Sequence, residues 1–148
     1  MSGINVMIDK DSEININFII APSIQNEGKE TKLYVGENEE KIKEDNPEDI
    51  DKINFEVAEK HFVVFRYPSY ADANNIMSSA IKTGIDGEIN LDLAKIRNKK
   101  MSMLLKSWSF KDVEGKEVLP TMENLDKLHP AIGLYLGSAL DDATADMY

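Results

Sequence analysis

The hydrophobic period of this chain changes along its length, from two residues early to about 3.6 later, and that order restricts the fold more than any motif does. In residues 13–20, EININFII, the side chains Ile14, Ile16, Phe18 and Ile20 alternate with Asn15, Asn17 and Ile19, which is the pattern of a strand with one buried face. Pro22 ends it. The run 32–35, KLYV, sits before Gly36 and can pair with it, and the opening INVMI is a further strand candidate. Within residues 53–69 the β-branched and aromatic run HFVVFRY, stopped by Pro68, predicts a central strand, hairpin-paired with residues 55–57. Strands followed by helices, rather than strands alternating with helices, predict an α+β fold: a small antiparallel β portion at the N-terminus and a mainly helical C-terminal half.

The helix signals begin after Pro68. Ser69 or Asp72 can cap a helix over residues 73–82, which Gly84 and Gly87 end in a loop. Asn90 then starts the main helix, LDLAKIRNKKMSMLLKSWS. At 100° per residue from Leu93, the side chains Ala94, Met101, Leu104, Leu105 and Trp108 fall within about 120°, a core-facing stripe that Ile96 and Met103 widen. Arg97 lies inside the stripe, so its guanidinium must snorkel or meet a carboxylate. Trp108, the one tryptophan, is expected to anchor the last turn of this helix. The turn at residues 112–115, DVEG, reverses the chain with Gly115 able to supply positive φ. Thr121 is a good N-cap with Glu123 in the first turn behind it, and Leu125 and Leu128 can fold back on Trp108 as a structural anchor. Pro130 fits the first turn of a final helix whose Ile132, Tyr135, Leu136, Ala139 and Ala143 share a face.

The 148 residues fit one domain, divided as a β-rich portion 1–36, an acidic linker 37–52 and an α+β core 53–148. The segment 36–51, GENEEKIKEDNPEDID, has few apolar anchors and cannot offset its ordering entropy unless it docks elsewhere. It reads as a solvated linker with room for one short helical turn, and an acidic patch for a basic partner is the functional alternative. A net charge of −10 opposes attraction to nucleic-acid phosphates or anionic membrane. The densest basic cluster, residues 95–100, KIRNKK, reads as a solvated helix face. No apolar run approaches the roughly 20 residues that cross a bilayer. The N-terminal stretch MSGINVMIDKDSE lacks a basic segment followed by an apolar one, which leads to a cytoplasmic expectation.

Catalytic and metal-binding patterns do not emerge. Asp9, Asp86 and Asp112 each begin an alternating acidic run, but none continues as a calcium loop: Ile20 and Arg97 stand where the first two need a bidentate carboxylate, and Glu117 stands where the third needs glycine. Cysteine is absent, and the two histidines, His61 and His129, lie in unrelated contexts. No nucleophile elbow, P-loop or dinucleotide fingerprint occurs, so neither an enzyme nor a cofactor is expected. Contact chemistry is better represented. The width of the apolar stripe through Ile96 and Met103, Arg97 within it, the adaptable Met101 and Met103, and the small Gly133 and Gly137 suit a partner-binding surface and self-association. Plain core packing is the other reading of the same residues.

The phrase FRYPSYAD, the basic amphipathic helix ending LLKSWSF, the acidic turn closed by Gly115, and PTMENLDKL resemble the tail assembly chaperones of long-tailed bacteriophages and phage-like particles. The likeness runs from about Phe62 to Leu140 and does not reach residues 1–51. It implies a non-enzymatic protein of the bacterial host cytoplasm that binds the tape-measure protein, keeps its long helices soluble during assembly, and meets tail-tube protein. Such chaperones often self-associate. The alternative is a structural tail or baseplate adaptor retained in the virion tail, and an acid-dependent hydrolase is a third class for which no carboxylate pair stands out.

Overall fold

A computed structural model describes residues 7–8, 12–24, 31–83 and 87–147. The long alternating run forms β1 (Glu13–Pro22), and the rest of the sheet assembles on it. The strand β2 (Leu33–Gly36) pairs antiparallel with its second half, and β3 (Glu59–Arg66) pairs antiparallel along residues 13–20. A fourth strand, β6 (Leu105–Trp108), lies on the far side of β3, giving the order β2-β1-β3-β6. Register places Ile14 opposite Phe65 and Ile16 opposite Val63, so the apolar faces of both strands coincide.

That inner face is covered by α2 (Tyr70–Ser79), α3 (Leu93–Leu104) and α5 (Pro130–Ala143), which contribute Ile76, Ile96, Leu104, Leu136 and Leu140 to one core. Phe18 lies at its centre, with the rings of Tyr135, Phe110 and His61 at 5.4, 6.1 and 6.1 Å. The helix starts follow local chemistry. Ser69 and Asp72 form a reciprocal capping box on α2, and Asp72 also accepts the Arg66 guanidinium. That bond from Arg66, with those from Ser69, holds the buried Asp72 carboxyl below the usual range. Thr121 caps α4 (Met122–Asp126), and Nδ1 of His129 accepts the Ala131 N–H at the start of α5. Asp112 Oδ1 accepts the N–H groups of Glu114 and Lys116, and Gly115 takes φ +82° in the same turn.

Several expectations are corrected. Residues 37–52 do not stand free as a linker: the helical turn is a docked helix, α1 (Glu39–Asp45), capped by Asn38, which buries Ile42 completely while most of its other side chains stay exposed. Ile42 joins Ala21, Tyr34 and Ile53 in a second core on the other face of β1 and β2, and Tyr34 Oη donates to Asp49 at 3.0 Å. One apolar anchor suffices there because strand and loop side chains complete its surroundings, while Lys41 and Lys43 meet the outward carboxylates. Residues 55–57 form a 3-10 turn, Phe55–Val57, rather than a hairpin partner for β3, since β1 already occupies that side. The segment after α2 is a hairpin of β4 (Ile81–Thr83) and β5 (Ile89–Leu91), so α3 starts at Leu93 under an Asp92 cap and not at Asn90. Of INVMI, Met7 and Ile8 are exposed and outside any strand, and Ile4 to Val6 lie outside the described residues, as does Gly84.

Trp108 is not on a helix. The backbone becomes extended at Leu105 and passes directly into β6, which bonds the open side of β3 with an irregular register between Val64 and Phe65. Leu105 stands opposite Phe65 and Ser107 opposite Val64, leaving Lys106 as the extra residue, and its ammonium meets Glu13.

Candidate functional site: an apolar groove beside α3

The buried face of α3 consists of Ile96, Lys100, Met101 and Leu104. Leu93 and Ala94, counted with the core stripe on spacing, are exposed instead, Leu93 by 74%. The two ends of the helix explain the difference: its C-terminal turns lie under the sheet and α5, whereas its first turn projects beside the β4–β5 hairpin. A groove of about 640 Å³ opens there, lined by the apolar Met77, Leu91, Leu93, Ala94, Ile96 and Leu134 and by the polar Arg97, Asn98 and Asp141. Leu134 is 64% exposed and Leu91 48%, and Ile89 and Ile81 of the same hairpin are exposed as well. Large apolar side chains gathered around one groove on a strongly acidic protein make it the candidate interaction surface.

The two charged lining residues, Arg97 and Asp141, belong to a cluster of three charges. Arg97 donates from Nε and Nη2 to Asp141 Oδ2 at 3.0 and 2.8 Å, and Lys100 Nζ reaches Oδ1 of the same carboxylate at 3.0 Å. Lys100 is completely buried and also donates to Thr144 Oγ1 at 2.9 Å, which in turn donates to the Leu140 carbonyl. Burial pushes the Asp141 carboxyl up, but the hydrogen bonds from Lys100 and Arg97 outweigh it and hold the group below the usual range. The tie fixes α3 against α5 and lays the Arg97 stem over Gly137, where a Cβ would come within 2.6 Å of Arg97 Cδ. Gly133, by contrast, faces open space.

The sequence-predicted residues therefore separate. Ile96 and Met101 are core residues at 4% and 5% exposure, Met103 is half-buried against the same core, and Gly137 is covered by Arg97 within the chain. Of the six, Arg97 and Ile96 border the groove. Trp108 is 8% exposed, its Nε1 donates to the Val118 carbonyl and its ring lies 5.1 Å from Phe110, while Leu125 and Leu128 pack half-buried on the same core. Sequence reasoning missed Lys100, Asp141, Thr144, Leu91 and Leu134. Lys100 carried a signal, since it sits midway between Ile96 and Leu104 at helical spacing; it is not part of a solvated basic face.

One arrangement resembles a catalytic triad. His61 has Ser109 Oγ 3.0 Å from Nδ1 and Glu59 Oε2 3.0 Å from Nε2. Ser109 Oγ, however, accepts the Phe62 N–H at 2.8 Å and Ser109 N–H donates to the Phe62 carbonyl, so this hydroxyl extends the β3–β6 ladder. The Glu59 side chain is 74% exposed, a weak orienting partner. Among the described residues, no three His, Asp or Glu side chains converge as metal ligands, and no helix is long and apolar enough to cross a membrane. In comparisons with protein-family models, curated proteins and solved structures, nothing matches the chain.

Proposed function

We propose that this protein is a phage tail assembly chaperone, which binds the tape-measure protein in the host cytoplasm and keeps it soluble until the tail is built. The observation that carries the reading is the groove beside α3, whose exposed Leu91, Leu93 and Leu134 offer a surface for the apolar face of an amphipathic helix. The resemblance of residues 62–140 to such chaperones supports the same reading. A chaperone of this kind acts by occupancy: it covers apolar side chains that would otherwise aggregate, its acidic exterior keeps the complex dispersed, and it needs neither a cofactor nor a reactive centre. Tail-tube protein is the second partner of this reading, and self-association is the state in which several copies line one long client.

Co-expression with the tape-measure protein of the same phage tests it. A soluble complex that survives purification, weakened by Leu93→Glu with the fold retained, is the expected result. Unchanged tape-measure aggregation with no complex overturns the proposal, and stoichiometric amounts of this chain in mature particles replace it with the adaptor.

A further inference from the structure

The strand β2 turns away at Gly36, opposite Ile19. Residues 13–18 of β1 therefore have β3 on one side and no strand on the other among the described residues. An unpaired row of backbone N–H and C=O groups is a template for another strand, and proteins usually blunt such edges with lysine, proline or a bulge. This edge reads EININF, without lysine, proline or glycine, and the sheet irregularity lies on the far side of β3. A groove of about 730 Å³ runs along it, between residues 14–17 and the side chains of Glu37, Asn38, Tyr135, Ala139 and Asp142.

The groove has a defined chemistry. Its α5 wall is apolar at Tyr135, whose ring packs on Phe18, and at Ala139. Its rim is acidic, and neither Glu37 nor Asp142 meets a lysine or arginine among the described residues. Burial, and then the charges of Glu37 and Asp45, push the Tyr135 phenol up, as expected for a negative potential over the groove. A second copy of this chain, with its net charge of −10, fits that potential poorly.

We propose that a partner polypeptide adds an extended basic segment as a strand along residues 13–18 of β1, with lysine or arginine against Glu37 and Asp142 and a small apolar side chain against Tyr135 and Ala139. Main-chain bonds supply the affinity and the acidic rim the selectivity. This surface is separate from the groove beside α3 and does not depend on a tape-measure partner.

The test titrates two short peptides of alternating Val and Thr, one flanked by Lys and one by Glu, into the isotope-labelled full chain at physiological salt, followed by amide resonances and hydrogen exchange. The Lys-flanked peptide is expected to shift residues 13–18, to slow exchange of their outward amides, and to bind about tenfold more tightly than its Glu-flanked counterpart. Glu37→Lys with Asp142→Lys, both on exposed side chains, should reverse that preference with unchanged circular dichroism. Equal affinity of the two peptides, shifts confined to the surroundings of Leu93 and Leu134, or edge amides already protected in the free chain would each overturn the proposal. The peptide comparison on the unaltered protein decides the matter even if the double variant fails to fold.

Discussion

Asp141→Asn and Lys100→Met remove opposite members of the same ionic tie and should have unequal consequences. In Asp141→Asn the Lys100 ammonium stays in a site with no exposed side-chain surface, and it loses the carboxylate oxygen 3.0 Å away. Breaking a fully buried pair in this way costs about 3–5 kcal/mol. The Asp141 side chain is 33% exposed and asparagine keeps one acceptor, so about 2–3 kcal/mol is the appropriate expectation. In Lys100→Met the buried charge itself disappears while the stem volume is kept, and Asp141 retains Arg97 and partial contact with water. That change should fall within about 1 kcal/mol of wild type. Urea unfolding at neutral pH, followed by circular dichroism and by Trp108 fluorescence with the slopes compared, measures both. An unchanged Asp141→Asn, or a Lys100→Met as costly as Asp141→Asn, would refute the reasoning.

The same carboxylate sets a pH dependence. Its folded pKa lies below its unfolded one, so its stabilisation is present above the ordinary carboxylate range near about pH 4 and is lost as pH falls through the depressed folded value. Asp72, held down first by Arg66, contributes with the same sign. Acid unfolding should therefore be less steep in Asp141→Asn than in wild type.

Trp108→Ala should cost about 3–5 kcal/mol in thermal or urea unfolding, because it empties a core position and strands the Val118 carbonyl; a small loss would remove Trp108 from the core. Gly137→Ala should lose about 1 kcal/mol as the new methyl displaces the Arg97 stem, whereas Gly133→Ala should gain about 0.5–1 kcal/mol, as expected for an open helical position. Equal effects at the two glycines, measured as melting temperatures, would count against the Arg97 packing. Leu93→Glu should leave the melting temperature within about 1 °C of wild type, as exposed substitutions do, and lower tape-measure recovery on co-expression.

What could be read in the sequence was whatever local chemistry decides. Alternation across β1, the Ser69 and Thr121 caps, the positive φ of Gly115 and the proline at the start of α5 each depend on a few neighbouring residues. The end of α3 does not. LLKSWSF satisfies both periods, with Leu104 and Trp108 one helical turn apart and Leu105 and Ser107 on strand spacing, and the open side of β3 decides between them. The segment 36–51 shows few apolar anchors on its own because Ala21, Tyr34 and Ile53 reach Ile42 only through the fold. Spacing leaves Arg97 either to snorkel or to meet a carboxylate; the carboxylate it meets lies 44 residues away, and the same group makes Lys100 a buried charge rather than part of a solvated face.

The division of the α3 stripe also changes which substitution separates stability from binding. Met103 packs on the main core, so Met103→Glu would combine a folding defect with any loss of contact. Leu93 stands free of the core and tests the groove alone. The helix α5 extends this separation to the second surface. At 100° per residue, Leu134 and Asp141 lie about 180–200° from Ile132, whereas Tyr135, Ala139 and Asp142 lie about 280–340° from it, so the two sets flank opposite sides of the core face of Ile132, Leu136 and Leu140. One helix thus borders the groove beside α3 on one flank and the open edge of β1 on the other. Because the two surfaces lie on different flanks of α5, Leu93→Glu should weaken occupation of the groove without changing peptide addition at β1, and Asp142→Lys should lower the preference for the Lys-flanked peptide at β1 without changing occupation of the groove. If each substitution weakened both partners equally, the surfaces would be a single coupled site, and the independence argued from α5 would fail.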